Sequence, residues 1–316
     1  MSEKTVAVNV DNFARAESDR MFDFVLHDTG GTNRWVINRQ PTPLDHQPII
    51  RQNRDTLYSA NIVDASQGLR LTLPETHGRY ASVMVVNQDH FIPRIIHEAG
   101  QHSLSAEEIG TPFALVGVRI LVDPNDPLDI AAVNELQDQF EVEAGSALPF
   151  THPSYDTASF DSTRNHLVAL SLGIGDYRGA FGSADAVDPV RHLLGSASGW
   201  GGFPESEAMY LNVDPGLPAG SYELTVGDVP VDAFWSITVY NEAGYMEPND
   251  RGVVSVNSVT AERNADGSVT VRFGDGDLPN TIPVPEHWNY MVRLYQPRAE
   301  AVSRDWVFPS LSGRSQ

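Results

Sequence analysis

The densest group of polar side chains lies in residues 53–59, at the start of a predicted strand. Strand side chains alternate between faces, so Arg54 and Tyr58 would share one face and Asp55 would lie on the other. Arg54 suits an anion clamp with Asn53 beside it, Tyr58 a hydrogen-bond donor or acid, and Asp55 a base or an arginine partner. The alternative interpretation is a buried arginine–aspartate network that fixes two domains together.

A second polar group, Asp89 and His90, ends another buried strand. A carboxylate and an imidazole there can form an acid–base pair or bind a metal, and Asn87 is a candidate substrate contact. His97 and His102 follow in the same region. A metal needs three or four convergent ligands, and neither H-x-H nor H-E-x-x-H occurs. We therefore expect no metal site, although binding by His90, His97 and His102 stays an alternative.

Aromatic residues cluster in the last third of the chain, and Trp200, Trp235 and Tyr240 are candidates for the wall of a ligand cleft. The competing interpretation is that they form the core of a β-domain, as aromatic residues usually do. Arg293 lies among apolar residues of a predicted strand, so it points outward or lines a pocket.

Several familiar chemistries lack their signatures. The run 195–199 reads G-S-A-S-G, with Ala197 where a nucleophile elbow needs serine. The run 274–277, G-D-G-D, lacks calcium-loop spacing and predicts a turn. Neither a Walker A loop nor a G-x-G-x-x-G fingerprint occurs. Cysteine is absent, which excludes disulfides, thiol nucleophiles and cysteine-bound metals. We expect no cofactor.

The amino-acid composition indicates which classes of binding partner the protein can have. The 316 residues carry 42 acidic and 21 basic side chains, a net charge of −21, and Lys4 is the one lysine. Such acidity disfavours unaided nucleic-acid binding. Residues 1–12 lack the apolar region of a signal peptide, and no apolar run approaches the roughly 20 residues of a membrane helix. We expect a soluble, cytoplasmic protein that meets a small molecule and no membrane, with homo-oligomerisation left open.

The helices and strands that must position these residues are predicted in separate blocks along the chain. Spacing predicts a first helix over 10–27, strands before residue 123, a helical block, and strands again after residue 205. The predicted strands are 55–63, 69–73, 79–86, 113–122, 222–226, 233–240, 253–256, 268–273 and 290–295. The later helices are predicted over 129–143, 160–172 and 189–194, the last of them after the capping pair Asp188-Pro189. In the first helix, Phe24 is expected near the apolar stripe. The near-continuous apolar runs 81–86 and 113–118 predict strands that are buried on both faces. Asp266-Gly267 predicts a hairpin between 260–263 and the strand that follows.

Several of these runs resemble a bacterial family that carries two domains of unknown function, numbered twelve-fifty-four (N-terminal) and twelve-fourteen (C-terminal). The resemblance covers about residues 10 to 310. The N-terminal resemblance lies in 53–59, 87–90, 119–127 and 136–138, and the C-terminal one in 199–204, 234–241, 266–269 and 292–295. It implies an α+β, β-rich protein with two β-sandwich or jelly-roll-like domains joined by a helical block, and no settled activity. Family members often have an aromatic residue in the Asn-x-x-Pro segment, which here is Asn280-Thr281-Ile282-Pro283.

We divide the chain into an N-terminal domain (1–127), a helical connecting block (128–200) and a C-terminal domain (201–316). Because polar clusters end strands in both halves, we expect a site in a cleft between the domains.

Elimination leaves a cofactor-independent enzyme of hydrolase or lyase type that acts on a small polar or carboxylate-bearing molecule. Arg54 would hold the substrate, His90 with Asp89 would act as base, and Tyr58 as acid. The alternatives are a non-catalytic binding module and a structural or assembly protein.

Overall fold

The computed structural model describes residues 5–47, 50–174 and 176–313. They form two compact units. The first unit takes its residues from Met1–Arg39, Tyr58–Ile120 and Ala132–Pro204, and the second from Gln40–Leu57, Leu121–Ala131 and Glu205–Gln316. The boundaries expected after residues 127 and 200 stay a prediction.

The protein combines helices with largely antiparallel sheets. The helices are α1 (Phe13–Thr29), α2 (Ala106–Ile109), α3 (Pro127–Gln137), α4 (Thr157–Ser171), α5 (Pro189–Ser198) and α6 (Ala299–Val302). The strands of the N-terminal half are β1 (Trp35–Ile37), β2 (Thr56–Asp64), β3 (Leu69–Leu73), β4 (Ala81–Asn87), β5 (Arg94–Ile96), β6 (Gly100–Leu104), β7 (Phe113–Leu121) and β8 (Glu141–Ala144). Those of the C-terminal half are β9 (Ala208–Val213), β10 (Tyr222–Val226), β11 (Trp235–Tyr240), β12 (Ser255–Asn257), β13 (Val269–Phe273), β14 (Thr281–Ile282), β15 (Asn289–Tyr295) and β16 (Ser312–Gly313). Within the described residues, no helix is both long and apolar enough to cross a bilayer.

Four sheets organise these strands. One has five strands in the order β1-β2-β7-β4-β5, and another has three, β6-β3-β8. The C-terminal half has two four-stranded sheets, β14-β13-β10-β16 and β12-β11-β15-β9. Every residue of β4 is buried. Among the described residues of the C-terminal half, five of the six strand pairings are antiparallel, and the sixth joins β14 to β13 in parallel. The continuous apolar run of β4 had predicted burial on both faces, and that prediction is confirmed.

The first and fifth helices follow their local signals. Gly30 ends α1 in the left-handed conformation (φ 68°), where a side chain would be strained. Asp188 caps α5 by accepting hydrogen bonds from the backbone N–H of Val190 and Arg191, with Pro189 at the first helical position. Helices predicted near residues 10–27 and 189–194 are thus confirmed with shifted ends.

The predicted helix over 129–143 is wrong after residue 137. Helix α3 ends at Gln137, and β8 pairs with β3, with Leu69 opposite Ala144. Ladder hydrogen bonds to β3 outweigh the helical spacing of the apolar residues there. The predicted hairpin is also wrong, because residues 260–263 form no strand and β13 pairs with β10 and β14.

The apolar side chains of the two four-stranded sheets in the C-terminal half belong to one buried cluster. Ile237 of β11 and Val292 of β15 are directly paired, and neither is exposed. Trp235 is 4% exposed and belongs to this cluster, so its surroundings are those of a core residue.

Candidate functional site

Arg293 organises a buried polar network in the second unit. Its side chain is almost fully buried and donates to Tyr240 Oη (2.7 Å), to the carbonyl oxygen of Arg51 (2.7 Å) and to Thr238 Oγ1 (3.0 Å). Tyr240 Oη in turn donates to the carbonyl oxygen of Gln52 at 2.7 Å. The arginine on β15 and the tyrosine on β11 therefore hold the backbone of residues 51–52 in place.

Asp55 lies in the same network and is fully buried. Its Oδ2 accepts a 2.6 Å hydrogen bond from Ser236 Oγ. Burial raises the pKa of the Asp55 carboxyl, and the positive charge of Arg293 only partly opposes that rise. Asn53 also points inward, and its Nδ2 donates to Tyr295 Oη at 3.2 Å. Arg293 and Asp55 therefore lie in one buried network of the second unit, while a network that fixes two domains together stays an interpretation.

Arg54 stands between those two inward-facing residues and differs from both. Its side chain is half-buried, and burial lowers the pKa of its guanidinium. Among the described residues, no hydrogen bond or ion pair to Arg54 occurs, and no acidic group offsets the cost of its burial. A partly desolvated cation without a counter-charge is a ready anion contact.

His90 is a fully buried residue of the first unit and has a left-handed backbone (φ 63°). Its Nε2 accepts from the backbone N–H of Gly201 at 2.9 Å, and its Nδ1 lies 2.8 Å from Ser196 Oγ. Since Nε2 must carry a lone pair, the proton belongs on Nδ1, which donates to the serine. Burial and the neighbouring His192 hold the pKa of His90 well below its usual range.

The direction of that bond matters for chemistry. A histidine that activates serine must accept its proton, whereas Ser196 Oγ donates instead to the carbonyl oxygen of His192 at 2.9 Å. The His90 ring stacks on Trp200 with centroids 5.1 Å apart, and the Trp200 indole N–H donates to Ser18 Oγ at 3.0 Å. His90 and Trp200 are thus placed to hold the loop around Gly201.

Asp89 and Asn87, at the end of β4, make different contacts: Asp89 pairs with an arginine, and Asn87 binds backbone N–H groups. Asp89 Oδ1 accepts from Arg15 Nε at 2.8 Å, and the two side chains are 40% and 38% exposed. Asn87 Oδ1 accepts from the backbone N–H of Asp89 and of Phe91, both at 3.0 Å, which builds the turn that carries His90. Both ring nitrogens of His90 have other partners, so Asp89 does not orient its imidazole. The proposed base role of this pair stays a prediction.

Tyr58 lies beside an arginine that the sequence analysis did not single out. The guanidinium carbon of Arg119 is 5.5 Å from the centroid of the Tyr58 ring and 3.9 Å from that of Phe203. Arg119 also donates to the carbonyl oxygen of Gly201 at 2.8 Å. A lone arginine inside the apolar run 113–122 was the signal that could have identified it.

A second polar group that sequence reasoning missed lies on α1. Asp19 is 1% exposed and accepts from Tyr155 Oη at 2.7 Å and from Gln88 Nε2 at 2.9 Å. Burial raises the pKa of the Asp19 carboxyl against these two hydrogen bonds. The polar face of α1 is therefore partly buried, while Phe24, expected on the apolar stripe, is 60% exposed.

The other histidines considered as metal ligands face backbone oxygens. His97 Nδ1 lies 2.8 Å from the carbonyl oxygen of Ala81, and His102 Nε2 lies 2.9 Å from that of Glu98. Across residues 5–47, 50–174 and 176–313, no three histidine or carboxylate side chains converge as a metal site would need.

Comparisons with known proteins give fold and family resemblances. The VPA0106 protein from Vibrio parahaemolyticus has 17% sequence identity and a TM-score of 0.75, over 97% of this chain and 98% of that one. An uncharacterized protein from Burkholderia cenocepacia has 13% identity and a TM-score of 0.53, over 95% and 87% of the two chains. At these identities the likeness concerns the fold alone. No curated protein matches the chain significantly.

The sequence resemblance to the C-terminal domain twelve-fourteen has direct support, whereas its N-terminal counterpart stays a prediction. Residues 214–299, which include the buried Arg293, match the family described as "Protein of unknown function (DUF1214)".

Proposed function

We propose that this protein binds a small carboxylate-bearing molecule through Arg54. The supporting observation is the half-buried guanidinium of Arg54, which has no hydrogen bond or ion pair among the described residues. Partial burial of an unpaired charge costs free energy, and a bound carboxylate would offset that cost. A planar guanidinium also matches both oxygens of a carboxylate.

The backbone next to Arg54 supports a binding role. Arg293 and Tyr240 hold the carbonyl oxygens of Arg51 and Gln52, and Ser236 holds Asp55. The residues on both sides of Arg54 are therefore fixed, so little backbone entropy is lost when a ligand binds.

The charge of the protein favours small ligands with a single negative charge. With a net charge of −21, the chain repels anions at long range. Binding at Arg54 must then rest on short-range hydrogen bonds, which a monocarboxylate can make with the least repulsion. Dicarboxylates and polyphosphates are expected to bind more weakly, and increasingly so at low salt.

General acid–base catalysis on the same molecule, of hydrolase or lyase type and without a cofactor, is the second candidate function. It is favoured by Asp55, whose raised pKa suits a carboxylic acid that donates a proton, and whose Oδ1 has no hydrogen-bond partner among the described residues. Turnover of an ester, amide or hydroxy acid that Asp55→Asn abolishes without unfolding the protein would support this role. The catalytic roles of Tyr58, Asp89 and His90 belong to this second candidate.

The fold of residues 205–316 is part of the proposal as well. Two four-stranded sheets that share one apolar cluster support a β-sandwich there, which would serve as the rigid base for the Arg54 segment.

Arg54→Gln is expected to weaken monocarboxylate binding by about tenfold or more, because hydrogen bonds to charged groups contribute roughly 1.5–3 kcal/mol. Isothermal titration with acetate, pyruvate and benzoate would measure the effect. Arg70→Gln is the matched control, since Arg70 is half-exposed and already paired with Glu143. The ligand-free Arg54→Gln protein should also melt about 1 °C higher, because an unpaired charge has been removed.

Two results would contradict the proposal. One is that none of the carboxylates binds the wild-type protein. The other is that Arg54→Gln and Arg70→Gln bind them as tightly as the wild type does.

A further inference from the structure

The segment that joins β8 to α4 contacts helix α1 at several points, and we call its residues 149–155 the strap. Phe150 packs on Phe22 of α1 with ring centroids 5.6 Å apart, and Tyr155 Oη donates to Asp19 of the same helix at 2.7 Å. Both residues of α1 are buried, with 0% exposure for Phe22 and 1% for Asp19. Prolines at positions 149 and 153 restrict the backbone, so few conformations are open to the strap.

His152, in the middle of the strap, makes a further contact with α1. Its Nε2 lies 2.7 Å from Asp23 Oδ2, and its Nδ1 lies 2.8 Å from the carbonyl oxygen of Pro153. An ionised carboxylate and a carbonyl oxygen can only accept hydrogen bonds, whereas a neutral imidazole has one N–H to donate. Both contacts are hydrogen bonds only when the ring carries two protons, so the geometry fits the imidazolium form of His152.

The acidic groups that face His152 lie on α1. Burial alone would lower the pKa of His152, but the hydrogen bond to the Pro153 carbonyl oxygen and the negative charges of Asp23 and Asp19 outweigh that effect and raise the pKa above its ordinary value of 6.5. Since the folded-state pKa lies above that of the unfolded chain, the protonated contact is fully present below pH 6.5. It is lost as the pH rises through the folded-state pKa.

The other titratable groups near His152 leave this sign unchanged. Its ring stacks on that of Tyr155, with centroids 5.8 Å apart and 8° between the planes. Burial and the hydrogen bond to Asp19 raise the pKa of the Tyr155 hydroxyl, so this group is uncharged at neutral pH. Arg15, a cation of α1 that acts on Asp19 and Tyr155, is itself paired with Asp89 at 2.7 Å, so its positive charge is offset.

We propose that His152 is a pH-sensitive latch, which fastens the strap to α1 while its imidazole is protonated and releases the strap when the proton is lost. Loss of the proton leaves one N–H for two acceptors and removes the charge that attracts Asp23. The strap then separates from α1 more often, which uncovers the Asp19 carboxylate and the Phe22 ring. The latch does not depend on carboxylate binding at Arg54.

The protonation state is tested by NMR of the imidazole nitrogens of His152 during a pH titration. We expect both ring nitrogens to carry protons at pH 6, and a midpoint above 6.5 that Asp23→Asn lowers. His166→Gln is the control and should leave the midpoint unchanged, because His166 is exposed and its Nδ1 faces the carbonyl oxygen of Ser162 in its own helix. A wild-type midpoint at or below 6.5, or one that Asp23→Asn leaves unchanged, would overturn the proposal.

The release of the strap is tested by hydrogen exchange of two amides at its end. The Val6 N–H donates to the carbonyl oxygen of Ser154 at 2.8 Å, and the Asp156 N–H donates to that of Val6 at 2.9 Å. Their protection factors should fall about threefold to fivefold between pH 6 and pH 8.5, the upper range for an exposed ion pair, since the side chains of His152 and Asp23 are 24% and 54% exposed.

His152→Gln keeps a hydrogen-bonding side chain that cannot be charged, so its protection factors should equal the wild-type values of pH 8.5 at both pH values. His166→Gln should show the full wild-type change. Wild-type protection factors that are equal at pH 6 and pH 8.5, or a folded His152→Gln protein that keeps the full change, would overturn the latch.

Discussion

Replacing Arg293 by methionine is expected to lower the free energy of unfolding by about 3–5 kcal/mol, the usual cost of breaking a buried charged network. The substitution removes three donated hydrogen bonds, two to side chains and one to the Arg51 carbonyl oxygen. It also removes the positive charge that opposes the raised pKa of Asp55. Urea denaturation followed by tryptophan fluorescence would measure the change.

A double-mutant cycle can separate the interaction between Asp55 and Arg293 from the lost hydrogen bonds of Arg293. Asp55→Asn combined with Arg293→Met should be less destabilising than the sum of the single changes, by roughly 0.5–3 kcal/mol. Arg263→Met, at an exposed arginine that donates only to backbone oxygens, is the control and should change stability by less than about 0.5 kcal/mol. Additive single changes, or an Arg293→Met protein as stable as the control, would show that the network does not carry this role.

His90→Asn is expected to destabilise the protein by about 2–3 kcal/mol at pH 7.5. The change removes a ring stacked on Trp200 and the hydrogen bonds that the imidazole makes with the part-buried Gly201 N–H and the buried Ser196 Oγ. Asparagine tolerates the left-handed backbone at this position, so the loss reflects the imidazole. His77→Asn is the matched control, because His77 has a similar backbone (φ 52°) but is exposed.

The stability of the wild-type protein should also depend on pH through His90. The folded-state pKa of His90 lies well below that of the unfolded chain, so below pH 6.5 the unfolded state binds the extra proton. Stability therefore falls as the pH drops below 6.5, by up to about 1.4 kcal/mol for each pH unit, and this term is flat above it. The His90→Asn protein should lose that slope, although His192, which faces His90, is still present. Parallel pH profiles of the wild type and the variant would contradict a buried neutral imidazole.

The sequence predicted structural features that depend on neighbouring residues, and it did not predict contacts between residues far apart in the chain. The burial of β4 and the start of α5 at Asp188-Pro189 each depend on a few neighbouring residues, and both were predicted. The Arg293 network joins residues 242 positions apart, and the His90 contact with Gly201 joins residues 111 positions apart. Spacing identified Arg293 and His90 as unusual, but it carried no information about these partners.

For the candidate site, too, the sequence identified the residues but not their distant partners. Arg54, Asn53 and Asp55 were grouped because they adjoin a strand, yet their neighbours on β11 and β15 divide them into two buried network members and one unpaired cation. Helix α1 was misjudged for a related reason. Asp19 is buried because Tyr155 and Gln88, distant in sequence, supply its hydrogen bonds.

The central claim is that Arg54 is the group that binds a small carboxylate, and its side-chain Nε–H resonance reports on it directly. The resonance can be assigned by its absence from the Arg54→Gln spectrum and followed during a titration with pyruvate. We predict a saturable shift of the Arg54 resonance that gives the same affinity as calorimetry, while the Arg70 resonance stays unchanged. An Arg54 resonance that does not move while pyruvate binds would contradict the claim.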